Sequence, residues 1–395
     1  MAADDSNRDA YEVTDPVTLG LVPERLDALI DRARREIDEG LLPSCQLAVA
    51  RQGRLALFET LGDAAHSSRY TIFSCTKGLV AGAIWILLRS GDLSLDVRVA
   101  ELVPEFGTNG KEVITVEQLL THTAGFPTAP MSATVAASRE GRLAQFAKWR
   151  LNWEPGSRFE YHPTSAHWVL GELIERVTGE DFRAFIVDQV ARRHGLTRFG
   201  LGVGPGEQDD INDLCLVGQH PTREAIEAVL GFPLDLAELM GEVTDEALLS
   251  FNQPEVRAVG FPGGGGVATA ADLALYYQSV LHDPFDIWSP ERLSWATQVR
   301  CDLPDPLRGV PAHRSLGLVV AGHPPDAQLR GFGYGLSPRS FGHDGAGGQI
   351  AWCDPVSGVS FAYLTNGRDL DILREARRTI GLSSRAAVVA DPTSG

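Results

Sequence analysis

The chain has 395 residues, of which 44% are hydrophobic and 22% charged, and its formal net charge is −17. This is the composition of a protein with a real core, in one large domain or two of ordinary size. The acidic balance repels phosphate backbones and anionic lipid, which excludes nucleic-acid and membrane-surface binding as expected functions.

Residues 1–15 read as a disordered lead, and Met1-Ala2-Ala3-Asp4-Asp5-Ser6 lacks the basic and apolar regions of a signal peptide. Pro23 opens an amphipathic helix in which Leu26, Leu29, Ile30, Ala33 and Ile37 recur at helical spacing before Gly40. Strands are predicted over 45–51 and 55–60, joined by the tight-turn pair Gln52-Gly53. A helix starting near Ser74 carries the most apolar run, 79–88, which is too short to span a bilayer, and it stops at Gly91-Asp92. Thr115 to Leu120 has the form of a capped helix start. Further helices are predicted over 168–178 and 269–281, with an irregular stretch of loops and short helices, 197–258, forming a cap or pocket wall. Strands return over 348–353 and 359–365, a helix covers about 370–380, and a loose tail follows 384. Five cysteines, Cys45, Cys75, Cys215, Cys301 and Cys353, show no CxxC spacing; they predict reduced thiols in a cytoplasmic protein, without a disulfide framework or zinc knuckle.

Strands at both chain ends with helices between them predict an α/β fold of the α+β type. Residues 16–72 and 310–384 would build an antiparallel sheet flanked by the terminal helices. Residues 73–309 would form an inserted, mostly helical domain, with the active site at the junction.

The chemistry-bearing pattern is Ser74-Cys75-Thr76-Lys77. Residues three apart share a helix face, so the Ser74 hydroxyl and Lys77 amine can meet. Burial would lower the lysine pKa and make it a general base beside a nucleophile. The tetrapeptide alone equally fits a helix start with Ser74 as N-cap and Lys77 solvated. Such an enzyme also needs a proton shuttle and oxyanion donors. Tyr161, in Pro155-Gly156-Ser157-Arg158-Phe159-Glu160-Tyr161-His162-Pro163, offers the shuttle, its phenol made more acidic by a nearby lysine cation; a tyrosine packed at a loop corner is the alternative. Phe341-Gly342-His343-Asp344-Gly345-Ala346-Gly347-Gly348 precedes a strand, and the Ala346 N–H could join the Ser74 N–H as an oxyanion hole; a glycine-rich turn without a ligand fits equally.

Taken in order, Ser74-x-x-Lys77, Tyr161 and His343-Asp344-Gly345 resemble the penicillin-recognising serine hydrolases. The resemblance is closest to the class C beta-lactamase-like branch, with its family VIII carboxylesterases, DD-peptidases and D-aminopeptidases. It extends from about residue 20 to 380, through segments 114–125, 155–161, 263–269 with Asp272, and 352–355. It implies a beta-lactamase/transpeptidase-like fold with Ser74 as acylated nucleophile, Lys77 as its activator and Tyr161 as proton relay. It further implies the Ser74 and Ala346 N–H groups as oxyanion hole, His343 and Gly345 at the substrate, and no cofactor or metal.

Two departures bear on the substrate. Where the family has Tyr-x-Asn this chain has Tyr161-His162-Pro163, so no side-chain amide can donate to a lactam side chain. Where true lactamases have Lys-Thr-Gly it has His343-Asp344-Gly345, and a histidine is largely neutral at pH 7. Both weaken binding of penicillins and peptidoglycan stems while leaving the nucleophile and base in place. The expectation is a carboxylesterase acting on small or short-acyl esters. A lactamase, D-aminopeptidase, other amidase or acyltransferase of the same family, or a non-turnover acylated sensor or scaffold, is the alternative. His122 reads as a structural hydrogen-bonder, Cys75 as packed, Trp352 as strand core, and the glycine run 263–266 as a bend or cleft lining.

Overall fold

The structure, a computed structural model, describes residues 11–230 and 243–390. In chain order its strands are β1 (Ser44–Arg51), β2 (Arg54–Gly62), β3 (Arg69–Thr71), β4 (Gly200–Leu201), β5 (Ile211–Asn212) and β6 (Cys215–Val217). They continue as β7 (Gly266–Ala268), β8 (Val319–Val320), β9 (Phe341–Asp344), β10 (Ile350–Asp354), β11 (Val359–Thr365) and β12 (Gly367–Asp369). The principal sheet has the order β2-β1-β11-β10-β9-β8 and is antiparallel throughout, built from both chain ends as the sequence predicts.

Both faces of this sheet are covered, so its strands read as apolar runs and the two faces differ only in residue size. Toward the terminal helices Pro23–Asp38 and Ile372–Ala386 point Leu47, Val49, Ile350, Trp352, Phe361 and Tyr363. The opposite face carries Ala48, Ala50, Ala351 and Ala362. Ala48, Ala362 and Ala351 stand directly opposite one another across β1, β11 and β10, and the row continues to His343 on β9. This row of methyl groups lets the helix Ala270–His282 lie close on the sheet, where Ser360 Oγ donates to the Ala274 carbonyl at 2.7 Å and Gln278 Nε2 to the Ala50 carbonyl at 3.1 Å. At its end His343 stands on the same face as the helical part of the molecule.

The helix Thr76–Ser90 is apolar on nearly every side and sits in the larger core cluster, as expected of a helix surrounded by protein. The capping box predicted at Thr115 forms with Gln118, and a second joins Thr269 to Asp272. The helix predicted from Trp168 begins at Ser165.

Three expectations are corrected. The segment 197–258 contains strands β4, β5 and β6 besides its short helices. With β3 and β7, β4 and β5 form a second sheet of order β4-β7-β3-β5, and β6 pairs with β12; elements of two or three residues show no readable alternation. Residues 231–242 of that segment lie outside the described ones. Of the lead, residues 11–15 are attached, for Tyr11 donates to the buried Asp272 carboxylate and Thr14 N–H to the Leu55 carbonyl at 2.8 Å; residues 1–10 lie outside the described ones. The last helix runs on to Ala386 because Leu382 and Ala386 are buried beneath the sheet, and Ala390 bridges to Leu21; of the expected tail, 391–395 lie outside the described residues.

The alanine row makes a direct prediction. Ala362→Leu places three extra carbons between sheet and helix and should lower unfolding stability by about 1–3 kcal/mol. Urea denaturation monitored by tryptophan fluorescence checks it.

Candidate active site

Ser74 lies in the single 3₁₀ turn Phe73–Cys75 that leads into the helix Thr76–Ser90. Phe73 adopts φ +42°, a left-handed conformation that costs a bulky residue about 1–3 kcal/mol. Burial of its ring against Leu214, Leu248 and Phe251 offsets this. The turn is pinned from the glycine run, since Ile72 N–H donates to the Gly266 carbonyl at 2.9 Å and Gly266 N–H to Thr76 Oγ1 at 3.0 Å.

Lys77 is fully buried. Its Nζ lies 3.2 Å from Ser74 Oγ, 2.7 Å from the Pro163 carbonyl, and in a short contact with the Gly263 carbonyl. A Cβ at Gly263 would stand 2.9 Å from the Pro163 carbonyl and 3.4 Å from Lys77 Nζ, so only glycine lets the chain close over the amine. Burial, then the Arg314 charge, pushes the Lys77 pKa down to about 7. A neutral amine has two N–H bonds and one lone pair. Donating to the two carbonyls uses both hydrogens and leaves the lone pair for the Ser74 hydroxyl proton.

Tyr161 Oη donates to Ser74 Oγ at 2.9 Å, and the ring lies 5.2 Å from Lys77 Nζ. With Lys77 charged, Nζ donates to Ser74 Oγ; with Lys77 neutral, the hydroxyls form a one-way chain, Tyr161 O–H to Ser74 Oγ and Ser74 O–H to Lys77 Nζ. His122, at φ +59°, holds the tyrosine segment: its carbonyl accepts from Glu160 N–H at 3.2 Å and its Nδ1 from His162 N–H at 3.1 Å. His162 donates from Nδ1 to the Glu160 carbonyl at 2.6 Å and accepts at Nε2 from Phe126 N–H at 3.1 Å. Burial pushes the pKa of His162 down to about 3 and those of His122 and His167 well below the usual range, so all three are neutral. The expectation that a lysine cation makes the Tyr161 phenol more acidic is corrected. Burial dominates and raises its pKa, and the cation that works against this first is Arg314.

His343 is buried, and its ring centroid lies 6.0 Å from that of Tyr161. Its Nδ1 donates to the Asp344 carbonyl at 2.8 Å, and its Nε2 accepts from Arg314 at 3.3 Å. Burial pushes its pKa down to about 3. For Asp344, burial is the largest influence and by itself would raise the pKa, but Arg308 at 3.2 Å, His343 and Arg314 together outweigh it and hold the carboxyl below its ordinary range. The loop after β9 folds on Gln349, whose side chain accepts from Gly347 N–H at 2.9 Å and donates to the Thr365 carbonyl at 3.0 Å. Ala346 packs against the apolar cluster that holds Phe73, the residue before the nucleophile. A Cβ at Gly345 would stand 2.8 Å from the Ile72 carbonyl, so the loop lies directly on the Ser74 turn.

Three participants had no sequence signal: the backbone carbonyls of Pro163 and Gly263, and Arg314. Pro163 entered the reading only as a lost amide, and Gly263 only as part of a glycine run. Cys75 is packed, donating to the His343 carbonyl at 3.2 Å, and Trp352 is strand core.

Fold and site define a penicillin-recognising type of serine hydrolase. The family model described as Beta-lactamase matches residues 26–383, and the chain belongs to that family as one of its hydrolases. The esterase/beta-lactamase LipL of Mycobacterium tuberculosis is 28% identical over 324 residues, covering 75% of this chain and 68% of the relative. A penicillin-binding protein homolog from Caulobacter crescentus superposes with TM-score 0.74 at 25% identity, covering 93% of this chain and 98% of that one. A family VIII carboxylesterase does so with TM-score 0.74 at 22% identity, covering 93% and 99%, a likeness of fold. Among the described residues no helix is long and apolar enough to cross a membrane.

The buried lysine predicts a trade between stability and reactivity. Its folded-state pKa of about 7 lies below the ordinary 10.5, so the unfolded chain binds more protons between those values. Its burial therefore destabilises the fold most below pH 7, and the penalty fades as pH rises toward 10.5. Lys77→Met should raise the denaturant midpoint at pH 7 by more than at pH 10, while slowing labelling of Ser74 by a fluorophosphonate at least about a hundredfold. Paired urea melts at the two pH values and a labelling time course check it.

Proposed function

We propose that the protein is a carboxylesterase acting on small or short-acyl esters through an acyl-enzyme on Ser74. The observation that carries this is His343: it is buried, neutral and already accepting from Arg314, so the third motif offers no cation to a substrate carboxylate. Pro163 adds to it, because its carbonyl holds Lys77 and it has no amide for an acylamino side chain. The name of the LipL relative, which couples esterase with beta-lactamase, is consistent with an ester-directed member of the family.

In this reading Lys77 takes the Ser74 proton as Oγ attacks the ester carbonyl, and the N–H groups of Ser74 and Ala346 hold the oxyanion. The C–O bond to the alcohol breaks. The proton on Lys77 passes through the Tyr161 hydroxyl to the leaving alkoxide, giving free alcohol and acyl-Ser74. Water, deprotonated along the same path, attacks the acyl carbon; the carboxylic acid leaves and the proton returns to Ser74. The unpaired state of all five cysteines supports a reducing, cytoplasmic setting.

Purified protein should turn over p-nitrophenyl acetate and butyrate at least about a hundredfold faster, in kcat/KM, than a chromogenic cephalosporin or D-alanyl-p-nitroanilide. Ser74→Ala should remove all turnover, and Tyr161→Phe should lower kcat roughly 10²–10⁴-fold with little change in KM. Cephalosporin or D-alanyl amide hydrolysis matching the esters would assign a lactamase or amidase instead, and stoichiometric acylation without release a sensor. Transfer of the acyl group to added alcohol in preference to water would make it an acyltransferase.

A further inference from the structure

Arg314 is the least expected residue of this site. It is buried, with no carboxylate within ion-pair distance among the described residues, and its Nε has no hydrogen-bond partner. A buried guanidinium is ordinarily paired, because removing its charge from water is expensive. Here the guanidinium lies between two aromatic rings, 5.4 Å from the centroid of Phe159 and 5.1 Å from that of Tyr161, and donates to His343 Nε2 at 3.3 Å. Its backbone is fixed on both sides, bridging to Cys301 and to Val319 at the edge of the principal sheet. The side chain is therefore placed, by backbone bridges on either side of it, over the ring of the tyrosine.

We propose that Arg314 is the positioning charge of this active site: stacked on Tyr161 and bonded to His343, it supplies the fixed cation that the third motif lacks, and so sets the protonation of the Tyr161–Ser74–Lys77 chain. The inference rests on the Ser74 serine-hydrolase reading. Donation to Nε2 obliges His343 to carry its proton on Nδ1, the tautomer in which it donates to the Asp344 carbonyl. The same positive charge opposes a second cation at Lys77 and favours negative charge developing on Tyr161. The other charged or titratable groups facing these three are Arg308, Asp305, Asp344, His343, Cys75 and Cys301, with the neutral His122, His162 and His167 around Tyr161. Arg308 is engaged with Asp344 and Asp305, which leaves Arg314 and, when protonated, Lys77 as the cations in contact with the tyrosine, and of these Arg314 is the one charged throughout the neutral range. Burial and Arg308 push the Arg314 pKa down only to about 10, so it stays charged at neutral pH.

The test is the pH dependence of Ser74 labelling by a fluorophosphonate, and of kcat/KM for p-nitrophenyl acetate, in the wild type, Arg314→Gln and Arg314→Lys. Without the charge Lys77 holds its proton to higher pH. Arg314→Gln should therefore move the acid limb of both profiles up by about one pH unit, a roughly tenfold loss at pH 7 that narrows toward pH 9, with KM little changed. Arg314→Lys, which keeps a charge, should leave the limb in place. A folded Arg314→Gln with a uniform loss at every pH, or with raised KM and an unmoved limb, overturns the proposal and assigns Arg314 to packing or to substrate binding. If thermal melts show Arg314→Gln unfolded, Arg314→Lys decides: a retained limb supports the proposal and a limb displaced by a unit overturns it. Wild-type protein that does not label at Ser74 overturns the serine-hydrolase reading, and the role of Arg314 with it.

Discussion

The amine of Lys77, buried between the carbonyls of Pro163 and Gly263, is the constraint on which the site depends. Three segments distant in sequence must meet there: the helix that carries Ser74, the tyrosine loop, and the glycine run before β7. Each contributes a backbone or hydroxyl oxygen to the same nitrogen. A charged ammonium would present three hydrogens to these three oxygens and leave no lone pair for Ser74. A neutral amine satisfies the carbonyls with two hydrogens and keeps its lone pair for the hydroxyl. Burial shifts the balance toward the second state, bringing the Lys77 pKa down to about 7, so that the neutral amine is well populated near neutral pH.

Around that amine the chain gathers several locally unfavourable features. Phe73 and His122 take left-handed backbone conformations, Lys77 is desolvated, and Arg314 is buried without a carboxylate at ion-pair distance among the described residues. Each is unfavourable by itself, and each touches or adjoins the path from Tyr161 to Lys77. The rest of the fold is locally consistent: capping boxes open the helices at Thr115 and Thr269, and large side chains fill one face of the sheet while alanines admit a helix on the other. Stability supplied by this regular framework holds the strained residues in place.

What the sequence disclosed divides along the same physical line. Ser74 and Lys77 were legible because their chemistry resides in side chains at a short, fixed spacing, Tyr161 because it follows them in the order of the family motifs, and strands β1, β2, β10 and β11 because they are apolar runs bounded by turns; β9, within the stretch 341–348 read as a glycine-rich lead into a strand, was not. Strands β3 to β8, of two or three residues each, carry no period to read. The function of Pro163 was invisible because it is exercised by a carbonyl, which every residue possesses; as a side chain it registered only as a missing amide. Arg314 belongs to no motif, and only the bridges to Cys301 and Val319 bring it to Tyr161. The protonation of Tyr161 was misread for a related reason: spacing supplies a neighbouring charge, whereas desolvation is a property of the completed fold.

His343 shows how one substitution acts through several neighbours. A lysine at this position on β9 would bring a second cation to the end of the alanine row, against Arg314, and repel it across the 3.3 Å contact that imidazole Nε2 accepts. The arginine and the histidine are therefore compatible as a pair in a way that arginine and lysine are not. With the histidine neutral, the local charge is turned inward, onto the tyrosine, instead of outward toward a substrate carboxylate. A neutral ester, which brings no carboxylate to the site, loses nothing by that inversion, while a penicillin or a peptide terminus loses its counter-ion. The proposed preference for esters and the contact of Arg314 with a neutral His343 both follow from a histidine in place of a lysine at this position.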